Sequence, residues 1–425
     1  MQVEVAVIGA GMAGIAAALE ARYARRSVVL VDPAPGGLLR TVDGHEVGPQ
    51  SLLGSADDVW WVLDQLQLVS DVVPLPSRLP RYLVRDGRLC AMSPSPLSLL
   101  TTEALTWSER LSLGRELIQG AHGGADGESV HTFLARHFGE SFTERVAATA
   151  LTGVFATPIV ELEAKSALPT WVEAERSQGS VIRGLIKGSR RVPGRPTSYR
   201  LRNGFSSIGA RAIGAVRHVA RVASRLRRSA EGWHVGDDVV AEAVVVATAP
   251  SALEAVVGLA LPRFDQVSMA VVHWVGTESK LPNGFGYLAN PADGLFSLGC
   301  IFTGSLDPMK PSQFASFVGG AWHPERVELD EAALRAGIAA DLRTLTGGRV
   351  AAVLHVERWA RGFTPPRLGH AAKVARLRAA VERDGVFLAG GYLGSGTVRD
   401  AATFGRQAGR AAVAHLSGPR EASAA

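Results

Sequence analysis

The stretch "VIGAGMAG" sets Gly9, Gly11 and Gly14 at G-x-G-x-x-G spacing, with Met12 and Ala13 between the last two. An apolar run at residues 3–8 precedes it, and the helix-forming run "IAAALEARYAR" follows. A second strand-like run, "SVVLVD", ends at Asp32. Strand, glycine turn, helix and a strand closed by an acid form the βαβ unit that binds dinucleotides. Gly9 permits the tight turn. Gly11 lets a pyrophosphate approach the backbone, where the helix N-terminus offers unpaired N–H groups and positive potential. Asp32 stands where a carboxylate accepts hydrogen bonds from ribose hydroxyls. The plain alternative for Asp32 is an acid at the surface end of a strand.

Two further stretches carry the same kind of signal. Directly after Asp32, "PGGLLRT" supplies Gly36 and Gly37, which keep the backbone low, and Arg40, a contact for phosphate or ribose; "EVGPQS" then brings Gly48, Pro49 and Gln50. Near the other end, "FLAGGYLGSGTVRDAATFGRQAG" (387–409) joins a short apolar strand to an alanine-rich helix through a glycine-rich turn.

In this order the segments resemble the flavin amine oxidase superfamily, and over nearly the full length the chain resembles protoporphyrinogen oxidases within it. "TGVFAT", "LRNGFSSI", "GFGYLAN", "GLFSLGCIFTGSLDP", "FVGGAW", "ERWARGFTPPRLGH" and "PRYLVRDGRL" are similar to segments of that family. The resemblance implies FAD, bound non-covalently, since no Cys or His stands in the signature for a covalent link. It places Gly48-Pro49 beside the isoalloxazine ring, Gly390 and Gly391 near the ribityl and phosphate groups, and Thr397 and Val398 near the ring. A strand near Val222 or Ala223 is expected to contact adenine through its backbone. Arg81 is expected to grip a substrate propionate, with Phe285, Leu288 and Phe317 as apolar walls for a tetrapyrrole. Their bland alternatives are an exposed strand arginine, among Arg78, Arg85 and Arg88, and ordinary core packing. Arg85 shares a face with Arg81 and is a candidate for a second propionate. The implied reaction is oxidation of protoporphyrinogen IX by dioxygen through FAD, in haem biosynthesis. Coproporphyrinogen III is the alternative substrate, an amine or polyene oxidase the alternative within the superfamily, and a non-catalytic flavin-binding scaffold the alternative of a different class. An amine oxidase normally places an aromatic beside the flavin, where "LGSGTV" follows Tyr392 here. No general base stands out, and His45, His355 and His370 read as structural.

The elements that must position these residues define an α/β fold. A discontinuous Rossmann-like FAD domain is expected over 1–70, 200–257 and 375–415, and a strand-rich substrate domain over 71–90 and 258–374. A helical insert is expected over 91–199 and a disordered tail over 416–425. Helical periodicity marks 56–67, with Ser55 as N-cap, and 106–119, 129–150 and 329–346. The strands "HVARVASRL", "AEAVVVATAP", "VSMAVVHWV" and "VAAVLHVERW" are expected, and 177–204 reads as a loop.

Composition limits the rest. The chain has 425 residues, 47% of them hydrophobic and 20% charged, as in a folded globular protein of more than one domain. Its two cysteines, Cys90 and Cys300, make neither a disulfide framework nor a metal set, and fit a reducing cytoplasm. The N-terminus lacks the basic region of a secretory signal, and no uninterrupted apolar window is long enough to span a bilayer. From Arg183 to Arg202 seven basic residues occur without an acid. They read as a solvated loop or as an attraction to anionic lipid or substrate. No aromatic platform accompanies them, so nucleic acid is not expected as a partner. A homodimer and peripheral contact with an anionic membrane complete the expectations.

Overall fold

The computed structural model describes residues 1–92, 102–121, 123–124, 126–188, 192–223, 225–277 and 283–417. Arg190, Arg191 and nearly all of the expected tail lie outside them. The chain passes back and forth between two compact units: Met1–Val73, Ser198–Phe264 and Ala371–Ala425 form the first, Pro74–Thr197 and Asp265–His370 the second.

The first unit opens with β1 (Gln2–Ile8), α1 (Met12–Tyr23), β2 (Val28–Val31) and α2 (Asp57–Gln65). The second follows with β3 (Arg81–Arg85), β4 (Arg88–Met92), α3 (Trp107–Gln119), α4 (Val130–Phe138), α5 (Ala148–Phe155), α6 (Pro169–Gln178) and α7 (Val181–Gly188). The chain returns through α8 (Ser206–Ala215), β5 (Arg217–Val219), β6 (Arg227–Ser229), β7 (Gly232–Val235), β8 (Val239–Val246) and α9 (Pro250–Val257). It crosses again for β9 (Val267–Thr277), β10 (Gly286–Leu288), β11 (Gly299–Ile301), β12 (Gln313–Gly319), α10 (Glu331–Thr346) and β13 (Arg349–Phe363). It ends with α11 (His370–Val381), β14 (Val386–Leu388) and α12 (Val398–Ser417).

The sheet of the first unit runs β5-β2-β1-β8-β7-β6, with β14 also paired to β8. Its central strands are parallel. Val5 and Val7 of β1 enter one apolar cluster, and Ala6 and Ile8 enter another. Burial on both faces explains why these strands read as continuous apolar runs. Register aligns Ile8 with Val246 and Val246 with Leu388, so β1, β8 and β14 end together at one sheet edge. The two termini of the chain meet beside that sheet. A Cβ on Gly405 of α12 would collide with the Ala13 carbonyl of α1, and one on Gly409 would lie 2.7 Å from the Ala17 carbonyl oxygen.

The second unit holds the sheet β13-β9-β12-β11-β10-β3-β4, antiparallel except for the β10–β3 pair. Tyr82, Val84, Tyr287, Phe314 and Val318 pack on one face with Leu334, Ile338 and Leu342 of α10. Asp330 starts α10 by accepting from the Ala333 N–H at 2.8 Å, and Gly347 ends it at φ +71°. On the other face Leu83 and Leu288 meet Leu105 and Val146 of the helical segment.

Several sequence expectations change. The helix over 57–65 has Ala56, not Ser55, at its N-cap and no side-chain cap. Ser55 Oγ instead accepts from Arg399. The strand expected over 218–226 stops at Val219, where Arg221 N–H turns back to the Val219 carbonyl. The helix expected over 129–150 breaks at Gly139 (φ +80°) and resumes through a π-helical turn, Thr143–Ala147. The presumed loop 177–204 contains α7. Its start is held by buried Glu116 of α3, which accepts from Val181 N–H at 2.6 Å and Ile182 N–H at 3.2 Å. A cap supplied from 65 residues away leaves no local signal.

Candidate functional site

Three turns leave the shared edge of the first-unit sheet. The first is the G-x-G-x-x-G turn. Gly9 has φ +104°, and a Cβ there would stand 2.5 Å from the Ala247 carbonyl oxygen, so the turn packs against the end of β8. A Cβ on Gly14 would collide with the Gly9 carbonyl. Gly11 differs. It is the N-cap of α1, with no side-chain cap and no acid in the first turn. A Cβ there would meet only the Cα of Gly37, at 3.9 Å. Open space beside an uncapped helix N-terminus suits a phosphate.

The second turn is the "PGGLLR" loop. Gly36 N–H donates to the Ala10 carbonyl at 2.8 Å, and Gly36 and Gly37 have φ +113° and +57°. Gly209 of α8 packs under it, with its would-be Cβ 3.1 Å from Gly36 N. Asp32 ties both turns. One carboxylate oxygen accepts from Ala10 N–H at 2.7 Å and the other from Ala34 N–H at 2.8 Å. A carboxylate has lone pairs beyond these two, so ribose hydroxyls are compatible with them. Arg40 is half-buried, and its carbonyl accepts from Val47 N–H. A Cβ on Gly48 would collide with the Leu38 carbonyl. Gln50 folds its amide onto the Glu46 and Gly48 carbonyls at 2.6 and 3.0 Å, bracing Gly48-Pro49.

The third turn closes the chain. Ala389 N–H donates to the Val246 carbonyl at 3.0 Å, placing Gly390 and Gly391 beyond the sheet edge. Thr397 stands just before α12: its hydroxyl accepts from Asp400 N–H at 3.2 Å, while Asp400 accepts from Ser395 N–H and Oγ, both at 2.5 Å. Val398 is the first residue of α12. Val222 lies past the end of β5 and is 77% exposed.

In the second unit the structure brings expected substrate residues together. The Arg81 guanidinium carbon lies 4.6 Å from the centre of the Phe285 ring. Phe285 is fixed by its N–H to the Pro80 carbonyl and by its carbonyl to Phe302 N–H. Alternation along the strands turns Arg81, Leu288 and Phe317 away from the face that carries Tyr82, Tyr287 and Val318. Leu288 pairs with Gly299, and Gly299 with Phe317, forming one row across the sheet. Gly299 has no side chain to separate its neighbours, and Gly153 of α5 faces Leu288 so closely that a Cβ would collide with it. Neither glycine stands out in the sequence as a site residue; their signal is the absence of a side chain beside a leucine. Arg85 is not free for a second carboxylate. It donates to Glu109 at 3.1 and 3.3 Å and to the Ala104 carbonyl, and its side chain is buried.

The flavin containing amine oxidoreductase family matches residues 12–413. A chloroplastic protoporphyrinogen oxidase of Nicotiana tabacum is 24% identical over 92% of this chain and 82% of its own. The protoporphyrinogen oxidase of Homo sapiens is 27% identical over 75% of this chain and 77% of its own. Among solved structures, a protein from Exiguobacterium sp. 255-15 assigned by inference to protoporphyrinogen oxidase has a TM-score of 0.80 at 19% identity, covering 98% of this chain and 99% of its own. Putrescine oxidase with bound putrescine has a TM-score of 0.68 at 17% identity, covering 97% and 99%. The chain belongs to the flavin containing amine oxidoreductase family. It is an α/β, FAD-dependent oxidoreductase. The residues fit the cofactor: the three turns share one edge, and the space beside Gly11 at the N-terminus of α1 is open where a diphosphate would lie.

Proposed function

We propose that this enzyme oxidises a porphyrinogen to a porphyrin, with protoporphyrinogen IX as substrate, dioxygen as acceptor and haem biosynthesis as its setting. The observation that carries this is the contact of Arg81 with the Phe285 ring, Arg81 lying on the same sheet face as Leu288 and Phe317. A flat, apolar macrocycle with carboxylates on one edge needs apolar walls and one charge partner. Arg81 would hold a propionate, its fork kept in place by the Phe285 ring. Leu288 and Phe317 would present hydrocarbon to the ring. Flavin, bound non-covalently, supplies the two-electron acceptor.

The commitment of Arg85 to Glu109 favours the dipropionate ring over the four-propionate coproporphyrinogen III. Each buried carboxylate without a partner costs several kcal/mol, and the matched residues offer one cation. Tyr392 argues against an amine substrate. It is buried against Phe264, with ring centres 5.6 Å apart. The test is turnover of anaerobically prepared protoporphyrinogen IX and coproporphyrinogen III, followed by porphyrin fluorescence. Faster oxidation of coproporphyrinogen overturns the substrate choice, and oxidation of neither overturns the reaction.

The same reading places the enzyme in the cytoplasm, with a homodimer and peripheral membrane contact. No helix among the described residues is long and apolar enough to cross a membrane. The support for surface contact is α3, where Trp107, Leu111 and Ile118 are each more than 70% exposed. The basic run contributes less than its sequence suggests, since Arg183 donates to the Leu117 and Ile118 carbonyls that end α3.

A further inference from the structure

The second unit carries an open pocket of about 800 Å³ that none of Arg81, Phe285, Leu288 and Phe317 lines. Its wall joins the end of β3, the π-helical turn before α5, residues 158–160, the turn after β10 and Trp322. A cavity of this size is in the range that holds small molecules. His131, Asp86, Glu144 and Asp293 face it.

At its edge His131, Glu140 and Glu144 bring one potential ligand atom each to within 4.8 Å of one another. His131 Nε2 stands 3.0 Å from Glu140 Oε1. His131 is in the first turn of α4, while Glu140 and Glu144, four residues apart, lie on the helical turns after Gly139. That spacing sets both carboxylates on one side. The neighbouring cation, Arg145, is 3.1 Å from Asp86, which balances its charge.

We propose that His131, Glu140 and Glu144 bind a divalent cation of the zinc or manganese(II) class at the mouth of this cavity. One imidazole nitrogen and two carboxylates suit ions of intermediate softness better than calcium or copper(I). Their two negative charges match a dication, and without one the glutamates repel each other. Three protein donors leave coordination positions for water or for an oxygen ligand in the cavity. Two independent features therefore point to the same place: a donor set at ligand spacing and a ligand-sized space beside it. The site does not depend on the identity of the oxidised substrate.

The test uses the flavin-loaded enzyme after chelator treatment. It is titrated with manganese(II) chloride, with loss of the free-ion electron paramagnetic resonance signal as readout, and with zinc chloride by calorimetry. One ion per chain is expected, bound saturably. His131→Ala combined with Glu144→Gln is expected to weaken binding by about tenfold or more. Glu140→Gln alone, at an exposed position that the fold does not need, is expected to weaken it in the same direction. Glu325→Gln, which removes another surface acid beside a histidine, is expected to leave it unchanged. Non-saturating uptake, or affinity indifferent to Glu140→Gln, overturns the proposal and leaves His131–Glu140 as an ion pair.

Discussion

Arg81 lies across the face of Phe285, its guanidinium carbon 4.6 Å from the ring centre. The contact orients the fork without neutralising it, so the charge stays available to an anionic ligand. Arg81→Ala is expected to lower kcat/KM for protoporphyrinogen IX by about 1.5–3 kcal/mol, roughly 10- to 150-fold. Arg81→Lys should recover part of this, because it restores the charge but not the fork. Steady-state kinetics on both variants check it, and an unchanged rate for Arg81→Ala removes the clamp.

Gly11 and Gly405 separate cofactor binding from folding. Gly11 borders open space, whereas a Cβ on Gly405 meets the α1 backbone. Gly11→Val is expected to give a folded protein without flavin. Gly405→Val is expected to lower thermal stability whether or not flavin is added. Absorbance near 450 nm per chain and thermal melts distinguish the two. In the wild type, acid precipitation should leave all flavin in the supernatant; flavin in the pellet would contradict non-covalent binding.

Burial pushes the Glu109 carboxyl up, but the Arg85 guanidinium, the Thr106 N–H and Ser141 outweigh it and hold it at about 2. Unfolded glutamate titrates near about 4.3, so the folded value is the lower one. The stabilisation is therefore complete above the unfolded value and disappears as pH falls toward about 2. Glu109→Gln should cost about 3 kcal/mol at neutral pH, because it leaves Arg85 buried without its partner. The gap between variant and wild type should close between pH about 4 and 2. Urea titrations across that range measure it; a constant gap contradicts the assignment.

Cys300 is buried in the second-unit core, and burial pushes its thiol up to about 12. A thiolate is the reactive form. Cys300 should resist alkylation at pH 8 in the native state and react on unfolding, while half-buried Cys90 reacts earlier. Mass spectrometry of the modified peptides decides the order.

The exposed apolar face of α3 predicts that Trp107→Ser and Ile118→Ser reduce co-sedimentation with anionic vesicles, leaving flavin content unchanged. If neither changes pelleting, that helix is not the contact.

The glycine fingerprint, Asp32 and the closing glycine turn were legible in the sequence because each depends on local geometry. A tight turn before a helix needs a residue without a Cβ within a few positions, whatever else surrounds it. Amphipathic α10 was legible for a similar reason, since its cap and periodicity lie within one segment. Tertiary structure alone decided the roles of the charged residues. Arg85 and Arg81 share a strand face and look alike in sequence. Yet Glu109, 24 residues away, claims Arg85, and Phe285, 204 residues away, orients Arg81. Likewise Arg183 caps α3, Glu116 caps α7, and His131 meets Glu140 across the break at Gly139. Side-chain charge is a property of the residue, but its use depends on which partner folding brings within about 3 Å.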